Sequence, residues 1–302
     1  MGLLALLALG AALAIAAVVA AVVRDARHPS RASVGWALAR GIPTRPDEAG
    51  MSSEEGSVRC ADGTSLPVWT IPGGDPDGPD LLLLHGWRRS RIDSLRRLPW
   101  ILPHVRCAHV MDLRGHGDAP RGATTLGGAD VADACAAVRA RPSARWIIAG
   151  HSLGASIALR AAAELCGTGT RIDGVLLMCP YPDIRVPLQG RLASLGMPPF
   201  PVAHIAARAI GALCGRERPF EDALRAIGQS SVPSVWVACQ SDAIVPSRVV
   251  AYMHARAREL GSPATMHVDA DADHDSVGTG RPSWASDAVR QLTRQPAAAT
   301  TP

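Results

Sequence analysis

The chain has 302 residues, 47% of them hydrophobic and 19% charged, enough for one large α/β domain and too apolar for a disordered protein. Its net charge of +4 comes from 31 basic residues, all arginine, scattered among 27 acids, which argues against a concentrated nucleic-acid-binding patch. The seven cysteines (Cys60, Cys107, Cys135, Cys166, Cys179, Cys214 and Cys239) lack CxxC spacing and read as reduced thiols, not as a disulfide framework or a zinc site.

Residues 2–23, GLLALLALGAALAIAAVVAAVV, carry no charge and as a helix of 22 residues would span about 33 Å, the thickness of a bilayer's hydrocarbon core. A secretory signal peptide should begin with a basic region. Here Arg24, Arg27, Arg31, Arg40 and Arg45 follow the apolar run, which favours an uncleaved transmembrane anchor with the remaining chain on the cytoplasmic side. Cleavage near Ala20, giving a secreted protein, is the alternative. A buried core helix fits poorly, because a helix apolar on every face has no slot in a soluble domain.

Residues 24–55 are mixed and Gly/Pro-punctuated, and read as a juxtamembrane linker. The domain is expected over 56–294. It opens on a hairpin, SVRCADGTSLPVWTI, that turns at Ala61-Asp62-Gly63. Short apolar runs follow at 81–84, 105–111, 146–149, 174–178, 234–239 and 264–268, each suited to a strand buried on both faces of a parallel sheet. Helical stripes lie between them: Val131, Ala134, Cys135 and Val138, then Leu153, Ile157 and Ala161, then Val249, Met253 and Ala257. This alternation predicts a doubly wound, mostly parallel α/β sheet. Residues 183–232 are too long for one crossover and read as a helical lid insertion; the tail 295–302 reads as a frayed, disordered end.

The stretch WIIAGHSLGA at 146–155 sets Ser152 between Gly150 and Gly154, directly after a strand and before a helix. A turn this tight strains the serine backbone and projects its hydroxyl above the sheet, while side chains at the flanking glycines would collide with the returning chain. The helix N-terminus also places the Leu153 N–H where an oxyanion would form.

With those residues in view, the chain resembles an α/β-hydrolase over residues 57–294. LLLLHGW at 81–87 resembles the family's strand-then-His-Gly segment, which implies the Trp87 N–H as second oxyanion donor. DLRGHGDA at 112–119 resembles its D-x-R-G-H-G-x-S segment, with Ala119 in place of serine. GHSLGA is similar to the nucleophile elbow, and QSDAIVP at 240–246 and DADHDS at 271–276 are similar to the acid and histidine segments.

A serine hydroxyl needs an adjacent base that a carboxylate orients, and in this fold the order is Ser, acid, His. Of the histidines after the acid, His254 lies inside a helical run and His267 inside a strand, leaving His274 in the loop beyond. Asp242, just past the strand 234–239, is the expected acid, with Asp183 as the alternative. His151 is expected to shape the elbow, and His85 and His116 to hold loops. The alternating Asp269, Asp271, Asp273 and Asp275 fail the EF-hand pattern and read as a solvated acidic loop.

The expected activity is a serine hydrolase that cleaves carboxylic esters through Ser152, His274 and Asp242 and an acyl-enzyme, lipase-like in its use of small-molecule or lipid-like esters. No cofactor, metal or nucleic acid is implied, and the membrane is the expected partner of the N-terminal helix. Peptidase, thioesterase, acyltransferase and haloperoxidase activities run on the same triad, and a non-catalytic receptor or scaffold is the alternative of a different class.

Overall fold

The structure is a computed structural model that describes residues 2–141, 145–215 and 218–293. The strands are β1 (Glu54–Arg59), β2 (Ser65–Pro72), β3 (Asp80–Leu84), β4 (Cys107–Met111), β5 (Arg145–His151), β6 (Arg171–Met178), β7 (Ser234–Cys239) and β8 (Ala264–Asp269). The longer helices are α1 (Leu3–Arg27), α2 (Val34–Leu38), α3 (Arg91–Ser94), α4 (Gly128–Arg139) and α5 (Leu153–Leu165). They continue with α6 (Arg185–Ser194), α7 (Val202–Cys214), α8 (Phe220–Gln229), α9 (Ser247–Glu259) and α10 (Ala285–Thr293). One sheet of eight strands runs in the order β1-β2-β4-β3-β5-β6-β7-β8. β1–β2 and β2–β4 are antiparallel, and every pair from β4 to β8 is parallel.

Each short apolar run of the sequence is a strand. In β3, Leu82 and Leu84 join a core with α4, α5, α8 and α9, while Leu81 and Leu83 join a second core with α10 and the segment 92–101. Continuous leucine therefore marks a strand with helices on both sides. β8 closes the sheet at its edge, where Val268 is exposed.

Residues 24–55 depart from a free linker. α1 continues through Arg27, and the Arg31 guanidinium donates to the carbonyls of Gly117 (3.1 Å), Ala119 (2.6 Å) and Pro120 (3.1 Å). The Thr124 N–H donates to the Arg27 carbonyl at 2.8 Å, and Ala26, Ala32, Ala37 and Ile42 are buried. These anchors are isolated small residues and backbone carbonyls, so they leave no periodic pattern. Sheet structure starts at Glu54, two residues before the expected domain boundary.

The insertion between β6 and β7 also divides differently from a single lid. α8 buries Ala223, Leu224 and Ile227 completely and packs on α5 and α9, so it belongs to the helical layer of the core. α6 and α7 bury Leu188, Leu192, Val202, Ala203, Ala206 and Ile210 in the same core, but α7 packs chiefly along α1 and α6 rather than on the sheet's helices. The tail 295–302 lies outside the described residues.

Candidate active site

The site sits at the carboxyl ends of the parallel strands, where loops from several strands converge. Ser152 takes φ 53° and ψ −113° between β5 and α5, a backbone state few non-glycine residues occupy. Its N–H donates to the Met178 carbonyl at the end of β6, 2.8 Å away, which fixes the turn to the sheet. A Cβ at position 150 would lie 2.2 Å from the Gly154 carbonyl, and one at 154 would lie 2.3 Å from the Leu84 carbonyl. Both glycines are thus sterically required.

The Ser152 hydroxyl lies 3.0 Å from His274 Nε2, and His274 Nδ1 lies 2.7 Å from Asp242 Oδ2. The Asp242 Oδ1 accepts the N–H groups of Ile244 (2.8 Å) and Val245 (2.7 Å). Burial opposes the charge of Asp242, but the bond from His274 and those two amides outweigh it and hold the carboxyl below its ordinary range. Ser152, Asp242 and His274 are all buried. Asp183 is engaged elsewhere, by the amide and guanidinium of Arg185 at 2.8 Å each.

Leu153 opens α5, where its N–H has no helical carbonyl to bond. Trp87 follows Gly86, at which a Cβ would lie 2.8 Å from His151 Nδ1. The Trp87 indole is half-buried between the guanidinium groups of Arg88 and Arg191, and its Nε1–H donates to the Ala26 carbonyl of α1 at 2.9 Å. Arg88 also pairs with Asp25 at 2.5 Å. The last turn of α1 therefore grips the loop that carries Trp87.

The remaining motif histidines hold loops. His85 donates through Nδ1 to the Gly86 carbonyl and accepts the Leu113 N–H at Nε2, joining two of the motif segments. His116 Nδ1 donates to the Arg114 carbonyl. Burial pushes His85 down to about 4 and His116 down to about 3, so both rings are neutral near pH 7. His151 goes beyond shaping the elbow: its Nε2–H donates to the His274 carbonyl at 2.6 Å.

The loop carrying His274 has supports that the sequence reading missed. Arg97 donates to the Val277 carbonyl (3.0 Å) and the Asp275 carbonyl (2.8 Å), and Arg89 pairs with the Asp275 carboxylate at 2.5 Å. Buried Asp93 holds Arg97 in turn, at 2.7 Å. The signal was the charged run RRSRIDSLRR at 88–97, too polar for a helix facing the core unless its charges are paired. The acidic loop is also internally used: Asp273 Oδ1 accepts from the amides of Asp275 and Ser276, and Asp269 from the Trp284 indole.

A cleft of about 210 Å³ lies over Ser152, walled by Trp87, Tyr181, Leu188, Leu192 and, from α1, Val22 and Ala26. Two side-chain groups among the described residues converge closely enough to hold a metal ion, Asp80–Cys107–His109 and Cys179–Cys239–Asp242. Both carboxylates have partners already, Arg106 for Asp80 and His274 for Asp242.

Against known proteins, residues 81–300 match the family described as the alpha/beta hydrolase family. A pimeloyl-[acyl-carrier protein] methyl ester esterase of Xanthomonas campestris pv. campestris is 28% identical over 231 residues, 64% of this chain and 87% of that protein. The protein of the same name from Xanthomonas oryzae pv. oryzae is 30% identical over 224 residues, 60% and 82% of the respective chains. Among solved structures, an esterase of Pyrococcus furiosus superposes with a TM-score of 0.65 at 18% identity, covering 83% of this chain and 94% of that one. An alpha-beta hydrolase of Vibrio vulnificus gives 0.63 at 19% identity, with 84% of each chain covered.

Proposed function

The chain belongs to the alpha/beta hydrolase family and is an enzyme of the esterase kind, and from that premise we propose that Ser152, His274 and Asp242 are its catalytic triad, acting on acyl esters with an apolar acyl part. The observation that carries this reading is the chain of two hydrogen bonds, Ser152 Oγ to His274 to Asp242, at the floor of an apolar cleft.

In the first half-reaction His274 Nε2 takes the hydroxyl proton as Ser152 Oγ attacks the ester carbonyl. Asp242, charged and bonded to Nδ1–H, holds the imidazole in the tautomer that leaves Nε2 free to accept. The carbonyl oxygen becomes an oxyanion that receives the N–H groups of Leu153 and Trp87. His274 then returns the proton to the departing alkoxide, leaving an acyl-serine. Water, deprotonated by the same ring, attacks the acyl carbon and releases the acid and the free serine. The pimeloyl methyl ester named for the Xanthomonas proteins is an acyl ester of the general kind this cleft would take.

We further infer that α1 is an uncleaved membrane anchor with the domain on its cytoplasmic side. α1 has 25 residues, an 18-residue stretch of it has a mean hydropathy of 2.8, and Arg24 and Arg27 follow its apolar run. Leu3, Leu4, Leu6, Leu7, Leu9 and Leu13 are more than half exposed, unlike a core helix. Cleavage near Ala20 would remove the turns that pack on α7, which supports retention over a signal peptide.

The triad is tested by labelling with a fluorophosphonate. Labelling of the wild type that is lost in both Ser152→Ala and His274→Ala is the expected result. An unlabelled but folded wild type would overturn the reading.

A further inference from the structure

A groove of about 740 Å³ runs along α1 beside α7, away from Ser152. It is lined by α1 from Ala12 to Arg27, then His28, and by Pro201, Ile205 and Ala209. From Ala12 to His28 the helix rises about 24 Å, the reach of a long acyl chain. Alanines 12, 16 and 20 on α1 and Ala209 on α7 leave the hollow, while Ile15, Val19, Val23 and Ile205 wall it.

The end of the groove is different in kind. Arg24, Arg27 and His28 gather there, and among the described residues none of their side chains has a hydrogen-bond or ion-pair partner; the Arg27 Nε is buried without one. Unpaired arginines occur elsewhere on the surface of the described residues, Arg59, Arg208 and Arg225 among them. What marks Arg24 and Arg27 is their place together at the end of an apolar groove, whereas the nearby Arg31 and Arg88 are held, by three carbonyls and by Asp25. An apolar trough closed by two unpaired guanidinium groups matches an amphiphile with an apolar tail and an anionic head. α7 adds that Ile205 and Leu213 are exposed on it, with Phe200 just before it, apolar surface that suits a bilayer better than water.

We propose that the α1–α7 groove binds one acyl chain of an anionic membrane phospholipid, with the phosphate on Arg24 and Arg27. The proposal rests on α1 being membrane-resident. Lipid seated there fills the space between the anchor and α7, and so fixes how the catalytic domain sits on the bilayer. The site is distinct from the cleft over Ser152 and calls for no turnover of the bound lipid.

The test uses the full-length chain. Carbonate washing first shows whether it stays in the membrane. The detergent-purified protein is then titrated with phosphatidylglycerol and with phosphatidylcholine under native mass spectrometry. The expected result is one saturable phosphatidylglycerol per chain and weaker phosphatidylcholine. The double variant Arg24→Gln/Arg27→Gln weakens phosphatidylglycerol by about fivefold per arginine. Ala209→Trp on α7, and Ala16→Trp on α1, fill the trough from opposite walls; each abolishes the bound lipid while hydrolysis of a short soluble ester continues. Binding that is non-saturable, or unchanged in both tryptophan variants, would show a general attraction of flanking arginines to the bilayer and would overturn the groove. A chain released by carbonate, or recovered without residues 1–23, overturns the anchor and the groove together and leaves the triad standing.

Discussion

Among the described residues, two of the buried histidine–aspartate pairs, His274–Asp242 and His109–Asp80, lie at opposite ends of the same sheet, and their surroundings give them different chemistry. At the carboxyl end Asp242 binds one ring nitrogen of His274 and Ser152 the other, so the carboxylate orients the ring toward the hydroxyl. At the amino end His109 Nε2 faces both Asp80 (3.4 Å) and Cys107 (3.3 Å), and Nδ1 takes the Thr70 hydroxyl. There acid and thiol share one side of the ring. The Cys107 thiol donates to Asp80 at 3.1 Å, and burial together with that carboxylate pushes it up to about 11. A cysteine, a histidine and an aspartate in contact therefore make a closed structural knot, which Arg106 completes by pairing with Asp80. What separates the proposed triad from the knot is which nitrogen each partner takes, and whether a cleft opens onto the hydroxyl.

The sharpest way to break the comparison is to disable the Ser152 end. Ser152→Ala should lower ester turnover by about 10⁵-fold or more, measured as kcat with active-site-free background subtracted. Asp242→Asn keeps the shape but favours the wrong tautomer, and should cost about 10⁴-fold in kcat.

Acid should loosen the site end before the knot. His85 and His116 have folded pKa values of about 4 and about 3, below the ordinary 6.5. Their neutral forms thus contribute stability that is full above pH 6.5 and lost as the pH falls toward 4, on the order of 3 kcal/mol for fully buried His85. Burial opposes the charge of Asp80, but the bonds from His109 and Cys107 and the nearby positive charges hold its pKa low. Its contribution therefore persists until the pH drops below the ordinary carboxylate value. Burial also pushes Asp112, beside His85, up to about 6, and its protonation in the folded state works the other way below that pH. Urea midpoints should therefore decline from pH 7 to 4 in the wild type and decline more steeply in Asp112→Asn, where the offset is gone; an Asp112→Asn profile that stays flat would contradict the buried neutral histidines.

Two smaller effects sharpen the contrast. Trp87→Phe deletes the indole bond to the Ala26 carbonyl and should cost about fivefold in kcat with KM little changed, the size of one hydrogen bond. Cys107→Ser should leave turnover within about twofold and move the thermal midpoint only slightly, since the knot keeps a donor there.

Some of this arrangement was legible in the residues and some was not. The elbow was readable because a Cβ would come within 2.2 Å of backbone atoms at 150 and 2.3 Å at 154, well inside van der Waals contact, so only glycine fits. The strand runs were readable because both faces of each central strand are buried. The choice between Asp242 and Asp183 was open in sequence, since each follows a strand by a short turn; Arg185, two residues after Asp183, claims that carboxylate. Least visible were bonds that end on backbone carbonyls: Trp87 on Ala26, His151 on His274, Arg97 on Val277. Every residue type has a carbonyl, so an acceptor of that kind leaves no mark in the sequence. For the same reason the docking of residues 24–55 looked like a linker.

The backbone of Ser152 carries a standing cost, about 1–3 kcal/mol for a side-chain-bearing residue held at φ 53°. Glycine adopts that conformation freely, so Ser152→Gly would release part of the strain and, on the proposed mechanism, end catalysis. On that mechanism stability and turnover are opposed at this one residue. A descendant relieved of its chemical task would gain by drifting to glycine there, and glycine at this position in a relative would be the fossil of a lost activity.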